Sequence, residues 1–476
     1  MTLTAARPVR RLTQDDPCHR SRTLGRCAVA VLAFATGYVF AESAPAASPA
    51  ADSLTLHGIT AYGVIDLGVQ YSTHGAPESD YFPAGTESII QKNSNHAVLA
   101  VTPSNLSQSK LGLQGSEPLF DTWSGIFKLE TFFNPQSGQL SDALKSLTLN
   151  NGRTVSQQQT GVDSSVAGQA FAGAAYAGVA SAKFGSLTFG RQNGLIADGI
   201  AKYDPQGASQ AYSLIGFSGT AAGGGATEDR RLDSSLKYVA KLGPFHVGAQ
   251  YKFSGADGSA NTAWQAQLGA DQGKLSIDAL YAITHDAVNA AALSPAQLSQ
   301  LPALGLSAAS SLSAVIADNK AYALMGLYLL HDVKLFAGYE YIECANPSSP
   351  LTAGTATIGG YILAFVNNTA YTNDKVARVA WTGAKTPLTS RLDLTAAYYG
   401  YFQNSYAAGA LSGCSGAESG ACRGRLNVYS LSADYRLARR FDGYAGAMRS
   451  DVSGGLSSGY LHTATLTTTV GLRFKF

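Results

Sequence analysis

Residues 464–476 alternate with a period of two. Leu466, Val470, Leu472, Phe474 and Phe476 share one parity, and Thr465, Thr467, Thr469, Arg473 and Lys475 share the other. That period places the two sets on opposite faces of a strand, one apolar and one polar. Alternating segments of about ten residues recur sixteen times, from 54–71 through 184–192, 230–240, 274–284 and 319–331 to 462–476. After the N-terminal region no apolar run is long enough for a transmembrane helix, which needs roughly twenty residues. The pattern predicts an all-β chain: a transmembrane antiparallel β-barrel of about sixteen strands, an even number as closed bacterial barrels require.

The connections sharpen this reading. Short ones (117–122, 181–183, 241–243, 270–273, 331–332, 437–440) interleave with long ones (72–108, 134–169, 193–229, 285–319, 345–373, 402–423). Short turns at one end and long loops at the other are the arrangement of outer-membrane barrels, and a soluble β-sandwich would not keep that order. The Ala/Leu/Ser-rich stretch 287–317 is expected to carry a helix or two outside the bilayer. The third long connection, 193–229, joins two strands whose polar faces carry charge. Loops of that length are normally functional or disordered, and this one could fold inward and narrow a polar interior.

Composition changes the picture mainly at the N-terminus. Six arginines (Arg7, Arg10, Arg11, Arg20, Arg22, Arg26) precede the apolar run 27–40, and Val39-Phe40-Ala41 offers small residues at a cleavage site. Residues 1–41 therefore read as a signal peptide, 42–53 as a short spacer and 54–476 as the barrel. Of 34 basic and 32 acidic residues, six and two fall in the signal segment, leaving 28 against 30. A near-neutral mature chain without a basic stripe argues against nucleic acid as a partner. Cys414 and Cys422, close together in a Gly/Ser-rich segment, are expected to close a small disulfide loop after export. Cys344 is left over. Scattered histidines and three mature cysteines make no metal site, and no cofactor is expected. Gly223-Gly224-Gly225 lacks the Lys-Ser/Thr and helix start of a phosphate-binding loop.

Several motifs in order along the chain carry a resemblance. They are Leu54-Thr55-Leu56-His57-Gly58, Gly63-Val64-Ile65-Asp66, Gln108-Ser109-Lys110-Leu111-Gly112-Leu113 and Ala175-Tyr176-Ala177-Gly178-Val179. To these add Phe184-Gly185-Ser186-Leu187-Thr188-Phe189-Gly190-Arg191-Gln192, Arg231-Leu232-Asp233-Ser234-Ser235-Leu236-Lys237-Tyr238, and the terminal strand with its final aromatic Phe476. Together they resemble the Gram-negative general porins of the β-proteobacterial type. The resemblance implies a trimeric sixteen-stranded barrel in the cell outer membrane, among outer-membrane lipid and lipopolysaccharide. It also implies a third loop folded into the lumen as a constriction, and passive diffusion of small hydrophilic solutes and ions.

Porin-like sites oppose acidic groups on the inward loop to basic groups on the wall. On the loop, Asp198 and Asp204 are the expected acids, with Tyr203 and Tyr212 as lining. On the wall, Lys110 and Arg231 occupy the family's basic positions. By strand parity Lys128, Glu130 and Lys237 also face water. Strict alternation puts Arg191 on the face of Leu187 and Phe189, but it ends its strand, at the rim or turned inward. Where relatives carry Arg before the Tyr-Val-Gly-Leu strand, this chain has Gly173-Ala174-Ala175-Tyr176, which argues against a strong anion preference. The blander reading of every charge named is a solvated lumen wall. A substrate-specific channel remains open because the loops at 134–169 and 285–319 are long. A barrel enzyme would need a nucleophile and base converging on one face, and no such grouping stands out. An adhesin would act through loops such as 402–423.

Overall fold

The structure is a computed structural model describing residues 54–76, 92, 94–159, 169–216, 231–254, 262–406 and 419–476. The expected signal peptide and spacer, the Gly223–Gly225 run and Cys414 lie outside the described residues. Cys422 is disulfide-bonded.

Sixteen strands form one ring. In chain order the first eight are β1 (Ile59–Gly75), β2 (Lys110–Phe120), β3 (Trp123–Asn134), β4 (Ala174–Ser181), β5 (Gly185–Asn193), β6 (Arg231–Leu242), β7 (Phe245–Lys252) and β8 (Ala263–Gln272). The rest are β9 (Leu275–Ala291), β10 (Ser311–Leu330), β11 (Val333–Ala345), β12 (Lys375–Pro387), β13 (Leu392–Gln403), β14 (Gly424–Ala438), β15 (Phe441–Gly454) and β16 (Ala464–Lys475). Each pairs antiparallel with the next, and β16 returns to β1 in the register Val64↔Lys475 to Ser72↔Thr467. Closure leaves no unpaired edge, the condition for a sheet in hydrocarbon. The turns β6–β7 and β8–β9 have two residues, and their first positions are Gly243 (φ +65°) and Gly273 (φ +60°), the left-handed geometry that such hairpins demand.

The terminal strand shows which face is which. Thr465, Thr467 and Thr469 are no more than 2% exposed, whereas Leu466, Val470 and Leu472 are 42–49% exposed on the outside. An apolar face turned outward is a lipid face. Around it the outer surface carries aromatic neighbours, Tyr322 lying 4.9 Å from Tyr281 and 6.2 Å from Tyr341, with Tyr398 and Tyr429 5.1 Å apart. Tyrosines at this position suit the membrane–water interface. Among the described residues no helix is long and apolar enough to cross a membrane.

Leu324 lies on the outer face of β10 between exposed Tyr322 and Tyr328. Leu324→Arg is expected to lower folding stability by about 2–4 kcal/mol, the cost of a lipid-facing arginine near the midplane. Denaturant unfolding from vesicles checks this; an unchanged midpoint would place that face outside the bilayer.

Two connections differ from expectation. The upper half of β1 pairs with an additional strand, His96–Pro103, from Leu67↔Pro103 upward, while its lower half pairs with β2 from Val64↔Lys110 downward. Residues 104–109 thus bulge from an otherwise continuous strand. The stretch 285–319 carries the two short helices expected of it but is otherwise largely strand. β9 and β10 continue into it, pairing from Ala287↔Ala317 to Ala291↔Ser313 after a register shift, and the helices are Pro295–Leu298 and Leu301–Leu304. The strand Tyr361–Asn367 adds in parallel to β10 there. Alanine-rich sequence has no period of its own, so the neighbouring strand decides its conformation.

Candidate functional site

Residues 194–216 of the third loop lie inside the barrel. The loop begins with α2, Leu195–Tyr203; the other loop helix of note, α1, is Ala143–Leu149. Leu195, Ile196, Ile200 and Tyr203 are buried against Leu280, Met325, Ile342, Val379, Trp381 and Tyr399 of the inner wall. The backbone N–H of Ile196, one of the donors left over at a helix start, is taken up by Gln265 Oε1 at 3.1 Å. Past the helix the chain follows the wall from strand to strand. Trp381 Nε1 of β12 donates to Tyr203 O at 3.1 Å, and Tyr399 of β13 donates to Asp204 at 2.5 Å. Gln206 bonds Ser430 and Ser432 of β14 at 3.0 and 2.7 Å. Ser209 Oγ and the Ala211 N–H both donate to Asn105 O, at 2.8 and 2.9 Å, and Tyr212 donates to Thr469 O of β16 at 2.8 Å.

The described part of the loop therefore covers the inner wall from β8 to β16. Leu280, Met325, Ile342, Val379, Trp381, Val428 and Met448 of β9–β15 form with the loop an internal apolar core, interrupted by buried polar side chains such as Ser430 and Ser432. Three expected lining residues are relocated by this arrangement. Asp204 is 2% exposed and Tyr203 and Tyr212 are fully buried, so all three face the seam between loop and wall and not the pore. Asp204 closes a turn, accepting from the backbone N–H groups of Gln206 (3.1 Å) and Ala208 (2.7 Å) as well as from Tyr399. Burial pushes its carboxyl above the ordinary range, against the opposing effect of these donors.

The wall left uncovered by the described loop residues, β2 to β6, carries the expected bases. Glu130 of β3 is their hub: Lys110 Nζ lies 3.1 Å and Lys128 Nζ 3.5 Å from Oε2, which also accepts from the Tyr62 hydroxyl at 2.9 Å. Lys110 and Lys128 keep 30% and 27% of their side chains exposed, while Glu130 keeps 6%. On the other side, Lys237 of β6 pairs with Asp198 of α2 and donates to Asn193 O at 3.0 Å. Asp198 also accepts from Asn193 Nδ2 at 2.9 Å. These contacts fix the first turn of the loop helix to the wall and leave Asp198 44% exposed.

Arg191 and Arg231 do other work. The β5–β6 ladder shifts register after Gly190, whose φ of +125° suits glycine. Arg191 thereby leaves the lipid-facing parity that strict alternation predicts. It is buried, with Nε donating to Ala172 O at 3.0 Å and Nη1 2.5 Å from Asp233. Arg231 Nε donates to Gly173 O at 2.9 Å, and the guanidinium lies 4.6 Å from the centre of the Phe132 ring. Both arginines clamp the backbone entering β4.

Sequence reasoning marked Glu130 as water-facing but missed that it ties two lysines together; opposite charges two residues apart on one strand face, Lys128 and Glu130, were the available signal. Trp381, Tyr399 and Gln206, which hold the loop, gave none. Among the described residues no group of three His, Cys, Asp or Glu side chains could hold a metal.

Comparison with known proteins agrees with this geometry. An outer membrane porin protein of Bordetella pertussis is 25% identical over 212 residues, a stretch covering 43% of this chain and 44% of that relative's length. Among solved structures, the anion-selective porin from Comamonas acidovorans superposes with a TM-score of 0.57 at 18% identity, covering 88% of this chain and 99% of its own. OmpT, an outer membrane protein of Vibrio cholerae, gives 0.53 at 14% identity, with 90% and 100% covered. These similarities establish the barrel fold. The Gram-negative porin family matches residues 28–455, nearly the whole chain, and the protein belongs to that family.

Proposed function

We propose that this chain is an outer-membrane channel for passive diffusion of small hydrophilic solutes and ions, with a mild anion preference set by an eyelet between α2 and the wall β2–β6. The observation that carries the reading is the charge lining that opening: three lysines, Lys110, Lys128 and Lys237, outnumber the two carboxylates they pair with, Glu130 and Asp198, while the exposed Asp233 is paired with Arg191. Fixed charges at a narrow point bias which ions pass. The buried Asp204 adds no acid to the lining, which tilts the balance further toward anions than sequence reading allows. The anion selectivity named for the Comamonas porin points the same way.

A homotrimer is part of the proposal, as is an outer face set among lipid and lipopolysaccharide. OmpT of Vibrio cholerae has been solved in a trimer form. Arg378, Arg425 and Arg449 lie exposed on the outer faces of β12, β14 and β15, where anionic headgroups would offset their charge.

The decisive measurement is the reversal potential of refolded protein in a planar bilayer under a KCl gradient. Wild type is expected to show stepwise conductance with modest chloride preference. Asp198→Asn, which releases the Lys237 charge, is expected to shift the potential further toward chloride. A cation-selective wild type would overturn the eyelet assignment, and a folded barrel that conducts nothing would overturn the channel.

A further inference from the structure

The second long loop leaves β3 and returns to β4, yet its described part is anchored on the far side of the ring. The buried side chains Leu144 and Leu147 of α1 pack on Val288 and Ala290 of β9, Leu312, Ala314 and Ile316 of β10, and Leu363 of the strand added beside β10. Asn151 uses both ends of its amide on that same structure. Its Oδ1 accepts from Leu293 N at 2.8 Å, and its Nδ2 lies 2.8 Å from Ala308 O and 3.0 Å from Ser311 O. The N–H of Gly152 donates to Leu293 O at 2.8 Å. The helix has its own start signal, the Asp142 carboxylate accepting from the N–H groups of Leu144 and Lys145 at 3.1 and 3.2 Å.

In a ring of sixteen, β3 and β9 are six strands apart, and β1 and β9 are diametrically opposite. Only five residues beyond Asn151, Ser156 O lies 3.4 Å from Asn95 Nδ2. Asn95 belongs to the β1 side: its N–H donates to Gly75 O at 3.0 Å and its carbonyl lies 2.8 Å from His462 Nε2. Five residues of chain reach at most about 18 Å, whereas sixteen tilted strands spaced about 4.8 Å apart enclose a ring roughly 30 Å across. Loop tops from opposite walls are thus drawn together, and the second loop runs between them over the opening. The extended β9–β10 hairpin, widened by Tyr361–Asn367, is the post it is tied to.

We infer that residues 142–159 form a fixed strap across the extracellular mouth, and that this strap is a size sieve met by solutes before the charged eyelet. The inference rests on the channel reading proposed above. Two sieves then act in series. The strap limits girth at entry, and the eyelet, whose charges lie on other elements, sets ion preference.

The experiment measures exclusion of polyethylene glycols of graded mass, added to either side of single channels in a bilayer. Wild type is expected to exclude smaller polymers from the extracellular side than from the opposite side. Leu144→Ser/Leu147→Ser, which removes the apolar anchor, is expected to shift the extracellular cut-off to larger polymers with the reversal potential unchanged. Asn151→Ala, too peripheral to prevent barrel folding, is expected to give the same shift to a smaller extent. Heat-modifiable electrophoretic mobility identical to wild type establishes that the variants fold. Equal cut-offs from both sides in wild type, or an unchanged extracellular cut-off in conducting variants, would overturn the strap as a sieve. A wild type that conducts nothing would instead remove the channel reading, and the strap inference with it.

Discussion

Asp204→Ala is expected to loosen the second half of the third loop and give a larger, noisier single-channel conductance. The side chain is the common acceptor for the Tyr399 hydroxyl and for the backbone N–H groups of Gln206 and Ala208. Without it, three donors stay buried with that acceptor gone, at about 1–3 kcal/mol for each left unsatisfied. The first half of the loop remains docked through Leu195, Ile196 and Ile200, all at most 1% exposed, so the barrel itself is expected to survive. Conductance and noise indistinguishable from wild type would mean that Gln206 and Tyr212 hold the loop without Asp204.

The same residue carries a pH dependence whose sign follows from its burial. Its carboxyl in the docked loop takes up a proton more readily than in a free chain, where an aspartate titrates near 3.9. The contribution to docking is therefore complete below that value and is lost as pH rises through the raised one. Channel noise in wild type is expected to grow as pH rises above that free-chain value, and Asp204→Asn to lack that dependence. Recording both proteins across that range separates this residue from the remaining titratable groups.

Glu130→Gln is expected to produce the largest change in selectivity. The carboxylate sits between Lys110 and Lys128, and neutralising it adds one unit of positive charge to the eyelet while freeing two ammonium groups that already reach solvent. The reversal potential should move clearly toward chloride, whereas Lys110→Ala/Lys128→Ala should move it the other way. The difference should shrink between 0.1 M and 1 M KCl, because the screening length falls from about 10 Å to about 3 Å. A shift of equal size at both concentrations would indicate that the substitution acts by altering pore shape and not by its charge.

Much of this architecture is readable from local pattern. In β16 every second residue is Thr, Arg or Lys except Gly471, and every large apolar member of the other parity is outside. Such a strand announces both its existence and its orientation. Short turns alternating with long loops fix which strand ends share a rim. The wall bases Lys128 and Lys237 follow from the same parity, and Lys110 from the position it takes in the porin-like motif. The pattern fails where a second layer lies against the inner wall. In β12, Ala377, Val379 and Trp381 point inward and are buried, yet by residue type they are indistinguishable from a lipid face. Asp204 fails for a related reason: an acidic loop residue reads as solvated until the hydroxyl of Tyr399, 195 positions away, is brought onto it. Arg191 depends on a single register shift after Gly190, and alternation has no means of anticipating a bulge.

Strand number, facing, loop order and membrane address are thus properties of the linear sequence, because a period of two is imposed by the backbone and each residue reports its own solvent. The course of the third loop along β8 to β16, the sealing of Asp204, the Glu130 hub and the strap at the mouth belong to the folded molecule. Each depends on pairs of residues far apart in the chain, and the free energy of such a pair exists only once closure of the ring has set the distance between them.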